Sequence, residues 1–541
     1  RAKHGAPAPL PNGTPALRQR TSSSAPPPQP TPPSQPPTHT ASSTDFYTPN
    51  LAFFTGSPFP TSSSPDAPTV SLTLTSPDIH YVQSTAIPTW PSTAQPAISI
   101  ALSSFLQHAL TSLDDDGPTL AIYCLPRLLL APPSSHLDRR ELIGTIRARS
   151  ESLRAGHAAR LWLAFDWLAA LPSPLDFPVT DPSRTSARLT TTATTRSPSS
   201  TFRSITDPPY LPPTPTALRL LIPLIPTDPN PDLHPDALPA EAANILPGHS
   251  SRLGSGFIHD STLRAAIIAD WQRHLRRFPC GAPDGTGLTH ALLLSCTDAL
   301  SSLALWLHAI SLSRTTPAHR ALLATKTLGG KVKPDKHTRE LPASAADATA
   351  ARPLARHPVP RRLIAGFIAR RLTSHSRALY LRLRQFGLLR AGLESAPRRH
   401  QLHFSLRPPT FAAAALDIVN AHTAVSRLAV YLVHASHAAA TDHPLDHQVR
   451  LYFLSYYHAP TATFIQIGHK LALYWQTDGL DQGEALASHT FGHTLALILN
   501  TIILPLLSRH FMYSLIHDDL LTSAPTLTLP DSDAPNDPTS C

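Results

Sequence analysis

The chain has 541 residues, 60 of them proline, and a formal net charge of +9. Its length holds two or three domains, but the proline load argues against packing throughout. Four cysteines (Cys124, Cys280, Cys296 and Cys541) stand at no metal-ligand spacing and do not suggest a disulfide framework. The longest apolar run, 495–507, is too short to span a bilayer and contains Asn500 and Pro505. No secretory leader opens the sequence, which begins at Arg1. The expected location is therefore nuclear or cytoplasmic, with no membrane partner.

Residues 1–95 read as disordered Pro/Ser/Thr-rich coil; 21 prolines fall in the first hundred positions. From 96 to 171, Leu and Ala recur at three- and four-residue steps, which predicts a helical region. Residues 172–255 (DPPYLPPTP, IPTDPNPDLHP) read as a Pro-rich linker or long loop. From 256 to 524 the pattern becomes α+β, and 525–541 reads as a disordered tail.

Within 256–524, the segments 291–312 and 361–372 predict amphipathic helices, the second with Leu363, Ile364, Phe367 and Ile368 on one face. Segment 411–419 (FAAAALDIV) is a short apolar run with an acid near its end, as in a buried strand. Residues 428–434 continue as helix. Residues 479–503 predict a turn and a long helix, and 511–522 two short strands around an acidic turn. Between 264 and 407 there are 24 Lys and Arg against 7 Asp and Glu, a net of +17, so the rest of the chain is close to −8. A basic block of that size points to a polyanion partner, or to a solvated basic face.

Three stretches carry the chemistry: ALDIVNAHTAVSR (415–427), GLDQGEALASHTF (479–491) and LIHDDLL (515–521). The first sets Asp417 at the end of an apolar run. The third sets Asp518 and Asp519 inside another. A carboxylate there is costly unless a cation or hydrogen-bond donors compensate it. Helix capping is the plain alternative for Asp417, and an acidic turn for the pair. Gln482 and Gly483 open the helical segment that holds Phe491, and could equally be an ordinary glycine turn.

In that order and spacing the stretches resemble the reverse transcriptases of non-LTR retrotransposons. The resemblance covers 256–524. It implies an α+β right-hand polymerase, fingers and palm, with a ferredoxin-like palm sheet. It implies RNA-directed DNA polymerase activity with two Mg2+ ions held by Asp417, Asp518 and Asp519, all three also the catalytic set. The stretch from Asp417 to Ala421 (DIVNA) and the acidic pair are similar to the family's motifs, while Ile516 stands where the family has Tyr. His422 stands where it has a bulky aromatic beside the sugar 2′ position, or is a half-exposed surface histidine. Glu484-Ala485 replaces the usual Asp-Pro.

By the same resemblance, Gln482 packs over the incoming nucleotide and Gly483 lets the backbone come close. The fingers-like segment GGKVKPDKHTRE, followed by ARPLARHPVPRRLIAGFIARRL, implies that Lys331, Lys333 and Arg352 contact the triphosphate. Arg361, Arg362, Arg370 and Arg371 would follow nucleic-acid phosphates. Implied partners are an RNA template, a DNA primer and deoxynucleoside triphosphates. Two other readings stay open: an inactive, degenerate retroelement copy, and a non-enzymatic basic nucleic-acid-binding protein.

Overall fold

The computed structural model describes residues 95–130, 139–155, 157, 160–161, 210–226, 237–246, 260–278, 284, 288–333, 342, 347–389, 392–406, 411–417, 421–467, 470–503, 512–516 and 519–525. Of the segments expected to be disordered, 1–95 and 525–541, all but Gln95 and Pro525 lie outside these residues, as do Cys280, Cys541 and Asp518.

The N-terminal helices are α1 (Gln95–Thr111), α2 (Asp116–Leu130) and α3 (Arg139–Arg154). In α1, Ile98, Leu102, Leu106 and Ala109 recur at helical spacing and are buried. Two helices follow inside the expected linker: α4 (Pro215–Leu221) and α5 (Ala237–Ile245). Thr214 caps α4 and Pro215 opens it, so prolines here start a helix rather than prevent one. Next come α6 (Ser261–Arg277), α7 (His290–Ser295), α8 (Leu300–Ser311) and α9 (Pro317–Ala324). Asp260 caps α6 by accepting from the amides of Thr262 and Leu263, each at 2.9 Å.

Strands β1 (Lys326–Val332) and β2 (Ala351–Arg356) lead to α10 (Val359–His375), α11 (Arg377–Arg382) and α12 (Gly392–Ser405). Strand β3 (Phe411–Asp417) precedes α13 (Ala421–Ala424), α14 (Arg427–Thr441) and α15 (Pro444–Tyr457). The chain then forms β4 (Thr461–Ile467), β5 (Lys470–Gln476), α16 (Ala485–Ile498) with a π-helical turn to Ile503, β6 (Met512–Ile516) and β7 (Asp519–Pro525).

The architecture is mixed α+β and mostly helical. One sheet has the order β2-β1-β4-β5. Its β1–β4 pair is parallel and the other pairs are antiparallel. The second sheet, β3-β7-β6, is antiparallel. The β4–β5 hairpin was not legible as strands in the sequence, because β4 is buried on both faces and lacks an alternating pattern.

The expected boundary between the helical region and the rest is not a break in the core. One apolar cluster runs from Ile98, Leu102 and Tyr123 through Trp271, Leu303 and Trp306 to Leu363, Phe453 and Phe491. Tyr123 on α2 meets His319 on α9, OH to Nε2 3.0 Å. Helix α4 is likewise no spacer: Leu218, Leu221 and Ile225 pack with Leu328, Ala351, Ile465 and Ala472 of the four-stranded sheet. No helix among the described residues is long and apolar enough to cross a membrane.

Candidate active site

Strand β3 ends at Asp417, and β7 begins at Asp519. The two are Cα partners in the antiparallel β3–β7 ladder. The Cα atoms of residues directly opposite in such a pair lie about 4.5–5.5 Å apart. The β6–β7 hairpin pairs Ile516 with Asp519, so its connection consists of positions 517 and 518. Asp518 itself lies outside the described residues. Asp417 does not cap α13, because three residues separate it from Ala421.

Two backbone hydrogen bonds join the remaining candidates to this end of the chain. The Leu480 amide donates to the His422 carbonyl at 2.6 Å, and the Ala355 amide on β2 donates to the Gln482 carbonyl at 2.9 Å. The turn 479–484 is thereby held between α13, the short helix after β3, and the outer strand of the four-stranded sheet. Its geometry needs glycine. Gly479 has φ +71°, and a Cβ there would come within 2.6 Å of the Thr423 carbonyl oxygen. Gly483, with φ +103°, is exposed and has only ordinary contacts around it.

His422 is not a loose surface ring. It stacks on Phe491 with centroids 5.2 Å apart and 25° between planes, and Ser488 Oγ lies 3.4 Å from its Nε2. On the other sheet, Lys331 faces Arg352 across β1 and β2. Arg352 is exposed; Lys331 is half-buried, its Nζ 5.1 Å from the Tyr210 ring centroid. The Lys333 amide continues the ladder by donating to the Ala350 carbonyl at 3.0 Å.

The four arginines expected to follow phosphates divide. Arg370 and Arg371 are exposed and Arg362 is half-buried. Arg361 is a correction: it is fully buried and cannot reach a phosphate backbone. Its Nε donates to Glu484 Oε1 at 2.7 Å, its Nη2 to Asp481 Oδ2 at 3.2 Å and its Nη1 to the Ala324 carbonyl at 3.1 Å. The sequence carried a signal for this, since Arg361 shares helical spacing with buried Ile364, Ala365 and Ile368.

Around Arg361 lies a buried polar network that the sequence reading missed. Asp481 also binds Lys326 Nζ and, at 2.9 Å, His357 Nε2. Because a carboxylate only accepts, His357 donates there. Glu484 accepts from the hydroxyls of Tyr452 and Tyr457 as well. Lys326 reaches the interior because it stands on the buried face of β1 with Leu328 and Val332. Arg427 Nε donates to the Gly479 carbonyl at 3.0 Å, and its amide donates to Asp478 Oδ1 at 2.7 Å.

The network sets its own charge states. Burial opposes ionisation of Asp481, but Lys326, His357 and Arg361 outweigh it and hold the carboxyl well below its usual range. Glu484 is held below its usual range in the same way, chiefly by Arg361. Burial pushes Lys326 down to about 8 despite Asp481, and lowers His357 with help from Arg361. Asp481 and Glu484 thus flank Gln482 and Gly483 with two ionised, buried anchors. Glu484, a departure from the resemblance in sequence, is a fixed strut of this fold.

No protein-family model matches the chain, and no curated protein matches it.

Proposed function

We propose that this chain is an RNA-directed DNA polymerase of the non-LTR retrotransposon kind, with a fingers–palm architecture. The observation that carries the reading is the register of Asp417 against Asp519. Like charges directly opposite destabilise a sheet. An acid pair in register, with a third acid next to it in sequence, is relieved by a cation. All three donors are carboxylates, which suits magnesium's demand for hard oxygen ligands. Asp417 and Asp518 would hold two ions, with Asp519 assisting. When bound, magnesium supplies charge that lowers the pKa of the attacking hydroxyl and steadies the leaving pyrophosphate.

The chain's own residues position the reactants. A primer 3′-hydroxyl attacks the α-phosphate of a deoxynucleoside triphosphate, and pyrophosphate leaves. A second like-charge pair, Lys331 opposite Arg352, is suited to the triphosphate, since an anion relieves its repulsion. The rigid 479–484 turn would present Gln482 and Gly483 to the nucleotide, and the His422 ring, braced by Phe491, would crowd a ribose 2′-hydroxyl. Exposed Arg370 and Arg371 would contact nucleic-acid phosphates.

The test is Mg2+-dependent extension of oligo(dT) on poly(rA). The full chain extends the primer, and Asp518→Asn abolishes extension while RNA binding persists. RNA binding with no extension by the natural sequence overturns the catalytic reading. It would favour an inactive copy, which Ile516 in place of Tyr also favours, or a nucleic-acid-binding role alone.

A further inference from the structure

A separate cluster sits where α10 ends against the α14–α15 corner. His375, the last residue of α10, His443 and Asp446 each offer a ligand atom within 4.8 Å of the others. Asp446 is buried, with its side chain only 5% exposed. Its Oδ2 accepts from Thr441 Oγ1 at 2.7 Å and lies 3.4 Å from His375 Nε2 and 3.7 Å from His437 Nε2. The His375 and His443 rings stack, centroids 3.8 Å apart and 21° between planes. Among the described residues, no lysine or arginine pairs with this carboxylate; imidazoles surround it instead.

We propose that His375, His443 and Asp446 bind a divalent transition-metal ion of the zinc type, with His437 or water as fourth ligand. Two or three imidazole nitrogens with one carboxylate suit zinc, whereas magnesium takes oxygen ligands. The site is therefore chemically distinct from the all-carboxylate set at Asp417. It also stands apart from the buried network under the 479–484 turn, because 14 residues of α10 put His375 about 21 Å along the helix from Arg361.

Zinc bonds of about 2.1 Å in a tetrahedron set ligand atoms roughly 3.4 Å apart. His375 and Asp446 already stand at that separation. The remaining separations, none above 4.8 Å, close by rotation of the His375 and His443 rings; His375 can turn because it ends its helix and is 30% exposed. His443 Nδ1 now accepts the Leu445 amide at 3.2 Å as the cap of α15. Coordination that turns the ring gives up that bond, so the metal would replace a cap. Its effect would be structural, tying the end of α10 to the corner between α14 and α15.

The experiment is calorimetric titration of the metal-free full chain with Zn2+, paired with Co2+ absorption. One equivalent binds, the cobalt form shows the intense visible bands of tetrahedral coordination, and Zn2+ raises the Tm. His375→Ala/His443→Ala removes two ligands. Loss of a mere supporting partner costs 10- to 100-fold, so this variant should bind at least ~100-fold more weakly. His375→Ala alone, at an exposed helix end, serves if loss of the α15 cap unfolds the double variant. Equal zinc affinity in the natural sequence and the His375→Ala variant, or weak multi-site binding by both, overturns the site.

Discussion

Arg361 and Glu484 meet at 2.7 Å, Nε to Oε1, with neither side chain exposed. The pair crosses from α10 to the cap of α16, and Tyr452 and Tyr457 complete the carboxylate's hydrogen bonds. Removing one partner leaves the other as a buried, uncompensated charge. Glu484→Ala should cost about 3–5 kcal/mol, and Arg361→Met with Glu484→Leu should cost less than Glu484→Ala alone. Urea unfolding of the three chains checks the order.

Folded stability should fall steeply below about pH 6.5. Burial first, and neighbouring arginines after it, push His319 down to about 3 and His308 to about 4. His274 and His434 are also pushed to about 4, burial again leading. An unfolded chain protonates these imidazoles near pH 6.5 while the folded chain does not. It therefore binds more protons, and stability rises with pH between about 4 and 6.5. Each such histidine should remove on the order of 1 kcal/mol by pH 5.5. A second loss should follow below about pH 4, where the depressed Asp481 and Glu484 carboxyls lose the stability they supply above their unfolded values. Thermal melts from about pH 3 to 8 would show both steps, and His319→Gln should shrink the first.

Metal removal should reveal the acid pair. If Asp417 and Asp519 repel across β3 and β7, Asp519→Asn should melt at or above the natural chain's Tm in EDTA. Millimolar Mg2+ should then raise the Tm of the natural chain more than that of the variant, which keeps Asp417 and Asp518 but lacks the assisting ligand, by the linkage of ligand binding to folding. Scanning calorimetry with and without Mg2+ reads the difference.

Gly479→Ala should be far more damaging than Gly483→Ala. Both backbones lie in the left-handed region, but only at Gly479 would a methyl collide, with the Thr423 carbonyl and with Pro226 Cγ at 2.7 Å. The expected costs are roughly 3 kcal/mol or more and roughly 1 kcal/mol, respectively. Because Leu480 donates to His422 next to the collision, Gly479→Ala should also lower primer extension before it unfolds the chain. Denaturation and extension assays on the two variants check this.

Salt dependence should separate the arginines. Arg370→Ala and Arg371→Ala remove exposed charges, so each should lower the slope of log affinity for RNA against log salt by about 1. Arg361→Lys should leave the slope unchanged, since the side chain never reaches solvent. Filter binding from 50 to 300 mM salt, about the range over which phosphate contacts are read, makes the comparison.

Local pattern determined much of this protein. The 3.6-residue spacing of Leu and Ala marked α1 to α3, α8 and α10, and the short apolar run ending in Asp417 marked β3. The two strands around positions 517 and 518 were marked by the acidic pair inside an apolar run. Each of these rests on neighbours in sequence, which periodicity reports. Only tertiary structure decided that Asp417 stands opposite Asp519, that the Pro-rich stretch supplies α4 to the four-stranded sheet, and that one core joins α1 to α16. It also decided the fate of the charges. Lys326, Arg361, Asp481 and Glu484 look like solvated residues in sequence, because charge alone favours water. They are buried because partners up to 155 positions away satisfy one another, and pairing across such distances leaves no trace in local pattern.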